Sequence, residues 1–146
     1  MRGKRIKIVE FTERLGAWSF AQRGIKNNFI FINKCRRGAK RKELMGQFAH
    51  ELCHLVLDHI DKSFVGDIFH NYFKKFPSYF FDTGFSRRIE RGVDKEVIRR
   101  GYARELVEHK KEFRKIFNEK VLKGLRSRGY LDEDAIKSYA KEIGKW

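Results

Sequence analysis

The sequence has 146 residues, of which 41% are hydrophobic, and it carries a formal net charge of +15. This length fits a single domain over residues 1–146 with one hydrophobic core. No apolar run approaches the ~20 residues that a membrane-spanning helix requires, so the composition argues against a membrane protein. The excess of lysine and arginine predicts attraction to anionic partners, such as nucleic acid or acidic protein surfaces.

The cysteine content and the N-terminal residues favour a cytoplasmic protein. Cys35 and Cys53 are the only two cysteines, and they do not form the disulfide framework that is typical of a small secreted domain. The basic residues 1–7 lead into alternating polar and apolar positions rather than into an apolar signal core. We therefore expect a cytoplasmic location.

Residues 1–33 predict a small β-sheet. Ile6 and Ile8 alternate with basic neighbours, and Asn28–Asn33 is a short apolar run between polar residues, which is typical of strands. Residues 18–25 allow another short strand that ends at a turn. One of these strands, Asn28–Asn33, is our candidate for an exposed edge that holds an extended peptide.

The rest of the chain is mainly helical in pattern. Apolar residues recur at helical spacing over 41–60, on a surface broad enough for a central helix. The aromatic stretch Ser63–Phe85 is interrupted by Pro77 and predicts a helix, a loop and a second helix, which form core or a lid over a site. Residues 86–146 predict further helices, with a break near Gly101. We therefore expect an α+β fold.

The segment His50-Glu51-Leu52-Cys53-His54 carries the clearest chemical signal. Residues four apart lie on one face of an α-helix, so His50 and His54 can direct two imidazole nitrogens at one metal ion. Glu51, beside the first histidine, can reach a metal-bound water and act as its general base. The alternative is that His50 and His54 are buried histidines with a structural role and bind no metal.

A catalytic zinc usually has three protein ligands, so a third must come from another segment. Glu90 is our candidate, and Asp94 lies four residues later on the same helical face, where it can accept a ring N–H from a ligand histidine. Alternatively, Glu90 and Asp94 could simply lie on a solvent-exposed helix face, where such pairs are common. Four other residues remain open as the third ligand: Glu96, Glu105, Asp82 and His70.

Taken together, His50-Glu51-Leu52-Cys53-His54 and Glu90-Arg91-Gly92-Val93-Asp94 resemble the gluzincin metallopeptidases, whose pattern is HExxH followed by ExxxD on a later helix. The second motif is most similar to HtpX-like peptidases and the small minigluzincins. The strand before the metal helix also resembles ImmA/IrrE-type peptidases.

This resemblance covers about residues 28–107 and implies a zincin-like domain that hydrolyses peptide bonds with zinc-activated water. By the same resemblance, His50, His54 and Glu90 would bind Zn²⁺, Glu51 would be the catalytic base and Asp94 would support a ligand histidine.

Two other functions are compatible with the same residues. The dense basic segment 34–42 and the basic stretch 110–128 can neutralise phosphates, so the chain could instead be a nucleic-acid-binding or regulatory protein with a structural metal site. A zinc hydrolase that does not act on peptides is the other alternative. An ordinary solvated surface would also explain the basic segments.

Overall fold

A computed structural model describes residues 5–12, 19–24, 26–57 and 83–146, and this part of the chain is an α+β fold. The strands are β1 (Arg5–Phe11), β2 (Ser19–Arg23) and β3 (Asn27–Asn33), and a 3₁₀ turn (Lys34–Gly38) follows them. The helices are α1 (Arg41–Val56), α2 (Thr83–Arg99), α3 (Ala103–Ile116), α4 (Glu119–Ser127) and α5 (Glu133–Glu142). None of these helices has the length and apolar composition to cross a lipid bilayer.

The predicted elements correspond closely to the described ones. The strands expected around Ile6 and over Asn28–Asn33 are confirmed, and β2 occupies the predicted third strand. The helix predicted over 41–60 is confirmed as far as Val56. Most of the aromatic stretch Ser63–Phe85 lies outside the described residues, and its last residues belong to α2.

The three strands form one sheet in the order β1-β3-β2, with β1 parallel and β2 antiparallel to β3. The expectation that Asn28–Asn33 is an edge strand is therefore wrong, because both sides of β3 are paired. The apolar run of β3 fits this central position, since Ile30 and Ile32 are both buried. Within the described sheet, β1 and β2 are the edges.

Helix α1 lies between the sheet and the other helices, which explains its broad apolar surface. Leu55 packs with Ile30 and Ile32 of the sheet. On another side of α1, Ala49 and Cys53 belong to the main core, which also includes residues of α2, α3 and α5. The segment His50–His54 thus lies on the most enclosed helix of the described fold.

Close helix packing brings α3 against α1. A Cβ atom on Gly46 of α1 would lie 2.2 Å from the backbone oxygen of Glu105 in α3, so only glycine fits this crossing. The approach places Lys110, further along α3, beside the residues of α2 that face α1. Gly46 therefore helps to determine which side chains of α3 reach the site.

Two glycines with positive φ shape the connections around α2. Gly101, with a φ of 88°, ends α2 near the predicted break, and Tyr102 N donates to Val97 O at 3.2 Å, as in a helix C-terminal cap. Gly129 has a φ of 98°, and a Cβ there would lie 2.3 Å from the backbone oxygen of Arg87. This second turn presses the loop before α5 onto α2.

Candidate metal site

Three side chains from two helices converge into one potential metal-binding group. His50 and His54 lie one turn apart on α1, and Glu90 comes from α2, which packs beside it. One donor atom from each residue lies within 4.8 Å of the other two. The pair of histidines is a local consequence of helical geometry, whereas Glu90 arrives through tertiary packing.

The donor atoms are spaced as the ligands of one small cation would be. His54 Nε2 lies 3.2 Å from His50 Nε2, and Glu90 Oε2 lies 3.3 Å and 3.6 Å from these two nitrogens, respectively. Ligand atoms ~2.0–2.2 Å from one tetrahedral zinc ion are separated from one another by about 3.3–3.6 Å. The three distances therefore fit a tetrahedral ion with a fourth position left over.

The Glu90 oxygen that faces the histidines is buried without a hydrogen bond. Its Oε2 atom has no partner of suitable geometry among the described residues. A buried carboxylate oxygen in that state is costly unless a cation satisfies it. The chemistry of two imidazoles and one carboxylate suits zinc, so the residues present fit the ion that the sequence predicts.

Asp94 fixes the orientation of His50. His50 Nδ1 lies 2.9 Å from Asp94 Oδ1, and an ionised carboxylate can only accept, so Nδ1 is the donor. In the neutral imidazole, this leaves the Nε2 lone pair directed at His54 and Glu90. Asp94 therefore lies where the sequence suggests, behind the candidate metal ligands and in contact with one of them.

In the metal-free protein the group favours a protonated His50 and an ionised Glu90. Burial opposes a positive charge on His50, but the Asp94 and Glu90 carboxylates outweigh it and raise the pKa of His50 to about 9. Burial also opposes ionisation of Glu90, but the two histidines hold the pKa of its carboxyl group far below the usual range. The two carboxylates thus favour a positive charge on the His50 side chain even without a metal.

Asp94 is fully buried and has two further partners. Lys110 Nζ lies 3.3 Å and 3.2 Å from its two carboxylate oxygens, and Leu131 N donates to Oδ2 at 2.9 Å. Burial raises the pKa of Asp94, but the positive charge of Lys110, together with the interactions of His50 and Leu131, outweighs burial and lowers the pKa below its usual value. Asp94 is therefore held both in position and in its ionised form.

Glu51 lies on the same turn as His50 and contacts the sheet. The Ser19 hydroxyl, at the start of β2, donates to Glu51 Oε1 at 2.5 Å. This contact holds the carboxylate between the metal-binding group of α1 and one edge of the sheet. The candidate base is thus buried and positioned, and it is not one of the three converging ligands.

The sequence did not identify Tyr130, Lys110 or Ser19. The Tyr130 ring lies parallel to that of His50, with centroids 5.7 Å apart, and Lys110 Nζ lies 4.6 Å from the Tyr130 ring centroid. Burial, followed by the negative charge of Glu90, raises the pKa of Tyr130 well above its usual value. The only sequence signal near Tyr130 was the preceding Gly129. A glycine indicates a turn, but it does not indicate which residues the turn contacts.

The other third-ligand candidates do not join this group. Glu96 pairs with Arg99 and Arg100 on its own helix. Glu105 borders the crossing with Gly46, and the described ligand group does not include it. His70 and Asp82 lie outside the described residues.

Comparisons of this chain with protein-family models, curated proteins and solved structures found no match. The functional assignment therefore depends on the residues and geometry of the site itself, and the gluzincin resemblance remains one of sequence motifs.

Proposed function

We propose that this chain is a zinc-dependent metallopeptidase with a zincin-like fold. His50, His54 and Glu90 would hold Zn²⁺, and Glu51 would act as the general base. The observation that carries the proposal is the convergence of two imidazole nitrogens with the buried Glu90 oxygen, which has no hydrogen-bond partner among the described residues. Glu51 follows His50 directly on α1 and supplies the carboxylate that metal-assisted hydrolysis needs as a base.

A bound zinc ion would supply Lewis acidity to a substrate carbonyl and lower the pKa of a coordinated water. The residues of the chain have complementary roles. Asp94 holds the His50 ring so that Nε2 faces the ligand group. Glu51 takes a proton from the attacking water and returns it to the leaving amine, while Ser19 keeps one of its oxygens fixed.

Strand β2 is the element that we assign to binding the substrate backbone. It is an edge of the described sheet, and its first residue, Ser19, contacts Glu51. An extended peptide added to this edge would run beside the candidate base, with its backbone hydrogen-bonded to the strand. This replaces β3, which cannot serve because both of its sides are already paired.

The decisive experiment compares the wild type with Glu51→Gln, using unfolded proteins as substrates. Glutamine preserves the size of the side chain and can still accept the Ser19 hydrogen bond, but it cannot remove a proton. We expect zinc content and folding to survive and peptide hydrolysis to fall by ~10²–10⁴-fold. A zinc-loaded wild type that cleaves nothing, or a Glu51→Gln variant that cleaves equally well, would favour the structural-metal alternative.

A further inference from the structure

A buried lysine lies directly behind the candidate metal ligands. Lys110 has only 6% of its surface exposed, although it is flanked on α3 by the exposed Lys111. Its ammonium contacts both oxygens of Asp94, and Asp94 in turn holds His50. Buried lysines are rare unless they are paired with a charge, so this position calls for an explanation beyond packing.

The charges around the site balance only when Lys110 is counted. Glu51, Glu90 and Asp94 supply three negative charges to this part of the structure, and a divalent ion supplies two positive ones. The Lys110 ammonium supplies the third. Nearby, Arg114 and Glu133 lie 3.2 Å apart and offset one another. Without Lys110, the metal-loaded site would therefore carry one net negative charge.

We propose that Lys110 is a positioning residue that acts through Asp94: it sets the net charge of the metal site and thereby limits how tightly a divalent ion binds. The inference rests on the proposed metal site. By neutralising Asp94, Lys110 allows that carboxylate to orient His50 without adding its full charge to the attraction for the ion. The ion then remains a stronger electrophile, because less of its charge is compensated.

The direction of the effect follows from Coulomb's law. A divalent ion carries two positive charges and is repelled by the Lys110 ammonium, so removing that ammonium strengthens the attraction of the site for the ion. At an effective dielectric constant near 20, each unit of charge on the ion contributes about a tenfold change in affinity when one unit charge is removed on the order of 10 Å away, so about tenfold is the smallest change expected. Lys110→Met should therefore bind divalent ions at least about tenfold more tightly.

The test measures Co²⁺ affinity by competition with a chromophoric chelator, together with the visible absorption spectrum of the bound ion. Lys110→Met should bind Co²⁺ at least about tenfold more tightly with an unchanged spectrum, because the ligands are unchanged. Lys110→Arg keeps the charge and should restore the wild-type affinity. Lys111→Met removes an exposed lysine that pairs with Glu108 and should have no effect.

A second pair of variants tests the route through Asp94 even if Lys110→Met folds poorly. Asp94→Asn retains an acceptor for His50 but leaves Lys110 unneutralised, so it should bind Co²⁺ at least about tenfold more weakly. Adding Lys110→Met to Asp94→Asn removes both charges and should recover most of that loss. Thermal melting of each variant provides the control for folding.

Three results would overturn the inference. These are unchanged or weaker Co²⁺ binding in a folded Lys110→Met variant, failure of Lys110→Arg to behave like the wild type, and no recovery in the double variant. If the wild type itself binds no Co²⁺, the metal site and this inference fail together. If the wild type binds Co²⁺ and only the Lys110 variants depart from expectation, the proposed metal site stands and the role of Lys110 does not.

Discussion

A hydrogen bond from His50 Nδ1 on α1 to Asp94 Oδ1 on α2, at 2.9 Å, joins the two helices that carry the candidate metal ligands. Because the carboxylate also accepts from Leu131 N, the loop before α5 is connected to the same point. The position of the His50 imidazole is therefore determined by three separate segments of the chain.

The affinity of the site for zinc should rise with pH up to about pH 9. The pKa of His50 in the metal-free protein is about 9, and a ligand imidazole must present an unprotonated Nε2. Below this pH, binding must release a proton from His50, so the affinity should fall about tenfold for each pH unit. Chelator competition across this range, corrected for protonation of the chelator, measures the slope.

Asp94→Asn is the informative variant for this pH dependence. Removing the carboxylate removes one of the interactions that raise the pKa of His50, so the region of pH dependence should shift to lower pH. An affinity that is independent of pH between about pH 7 and pH 9 in the wild type would show that His50 is already neutral there.

Purified protein should contain about one zinc ion per chain. Replacing His50, His54 or Glu90 with alanine should greatly weaken binding, because each substitution removes one of three ligands. Glu96→Ala is the matched control for Glu90: it removes a carboxylate from the same helix, but one that pairs with Arg99 and Arg100. Elemental analysis and zinc titration of these variants test the ligand set.

The control defines the outcome that would reject Glu90 as the third ligand. If Glu90→Ala keeps full occupancy with unchanged affinity, the ligand lies elsewhere. His70 and Asp82 would then be the next residues to replace.

The parts of this site that could be predicted from sequence are those set by local geometry. His50 and His54 share a helix face because they are four residues apart, and the same is true of Glu90 and Asp94. Local geometry does not determine that Glu90, rather than another acidic residue, lies beside the two histidines. The position of Glu90 depends on how α2 packs against α1, which no periodicity in either helix specifies.

The supporting residues were missed for the same reason. Ser19, Lys110 and Tyr130 come from a strand, a helix and a loop, and they meet only in the folded chain. Similarly, alternation of polar and apolar residues along each strand does not indicate which strands pair, so the order β1-β3-β2 could not be predicted.

The break between α3 and α4 was also not predicted, although the sequence carries a local signal for it. Asn118 caps α4, its side chain accepting from Val121 N at 3.1 Å. Asparagine is a preferred residue at that position.

The basic segment 34–42 motivates the prediction that the chain binds nucleic acid electrostatically. Two of its six cations are already engaged, since Arg36 donates to Gln47 and Arg37 pairs with Glu10. Four others are exposed: Lys34, Lys40, Arg41 and Lys42. Binding to DNA or RNA should show little sequence preference and weaken steeply as salt rises, because counterions are released from the phosphates.

A charge-reversal variant tests whether this segment is responsible. Replacing Lys40, Arg41 and Lys42 with glutamate should weaken binding and reduce its salt dependence, whereas the same change at Lys137, Lys141 and Lys145, in or just after α5, provides the control. Equal effects in both variants would indicate general attraction by a basic protein. No retardation of nucleic acid at low salt would reject the prediction.

Gly46→Ala should destabilise the fold although alanine is the better helix former. A Cβ atom at this position would lie 2.2 Å from the backbone oxygen of Glu105, so α1 and α3 would have to separate. Overpacking of this kind typically lowers the free energy of unfolding by about 1–3 kcal/mol, which exceeds the gain of roughly 1 kcal/mol from helix propensity. Chemical denaturation of the metal-free protein measures the change.

Gly124→Ala is the matched control for this substitution. Gly124 also lies within a helix, α4, but, apart from its own helix backbone and its two chain neighbours, no atom of the described residues comes within 4 Å of where its Cβ would be. Helix propensity then acts alone, and alanine should stabilise the protein by up to about 1 kcal/mol. If alanine lowers the free energy of unfolding at position 46 and raises it at position 124, the loss at position 46 comes from the contact between α1 and α3. A stabilising Gly46→Ala would mean that the two helices can separate there without loss, and Lys110 would then not depend on Gly46 for its place beside Asp94.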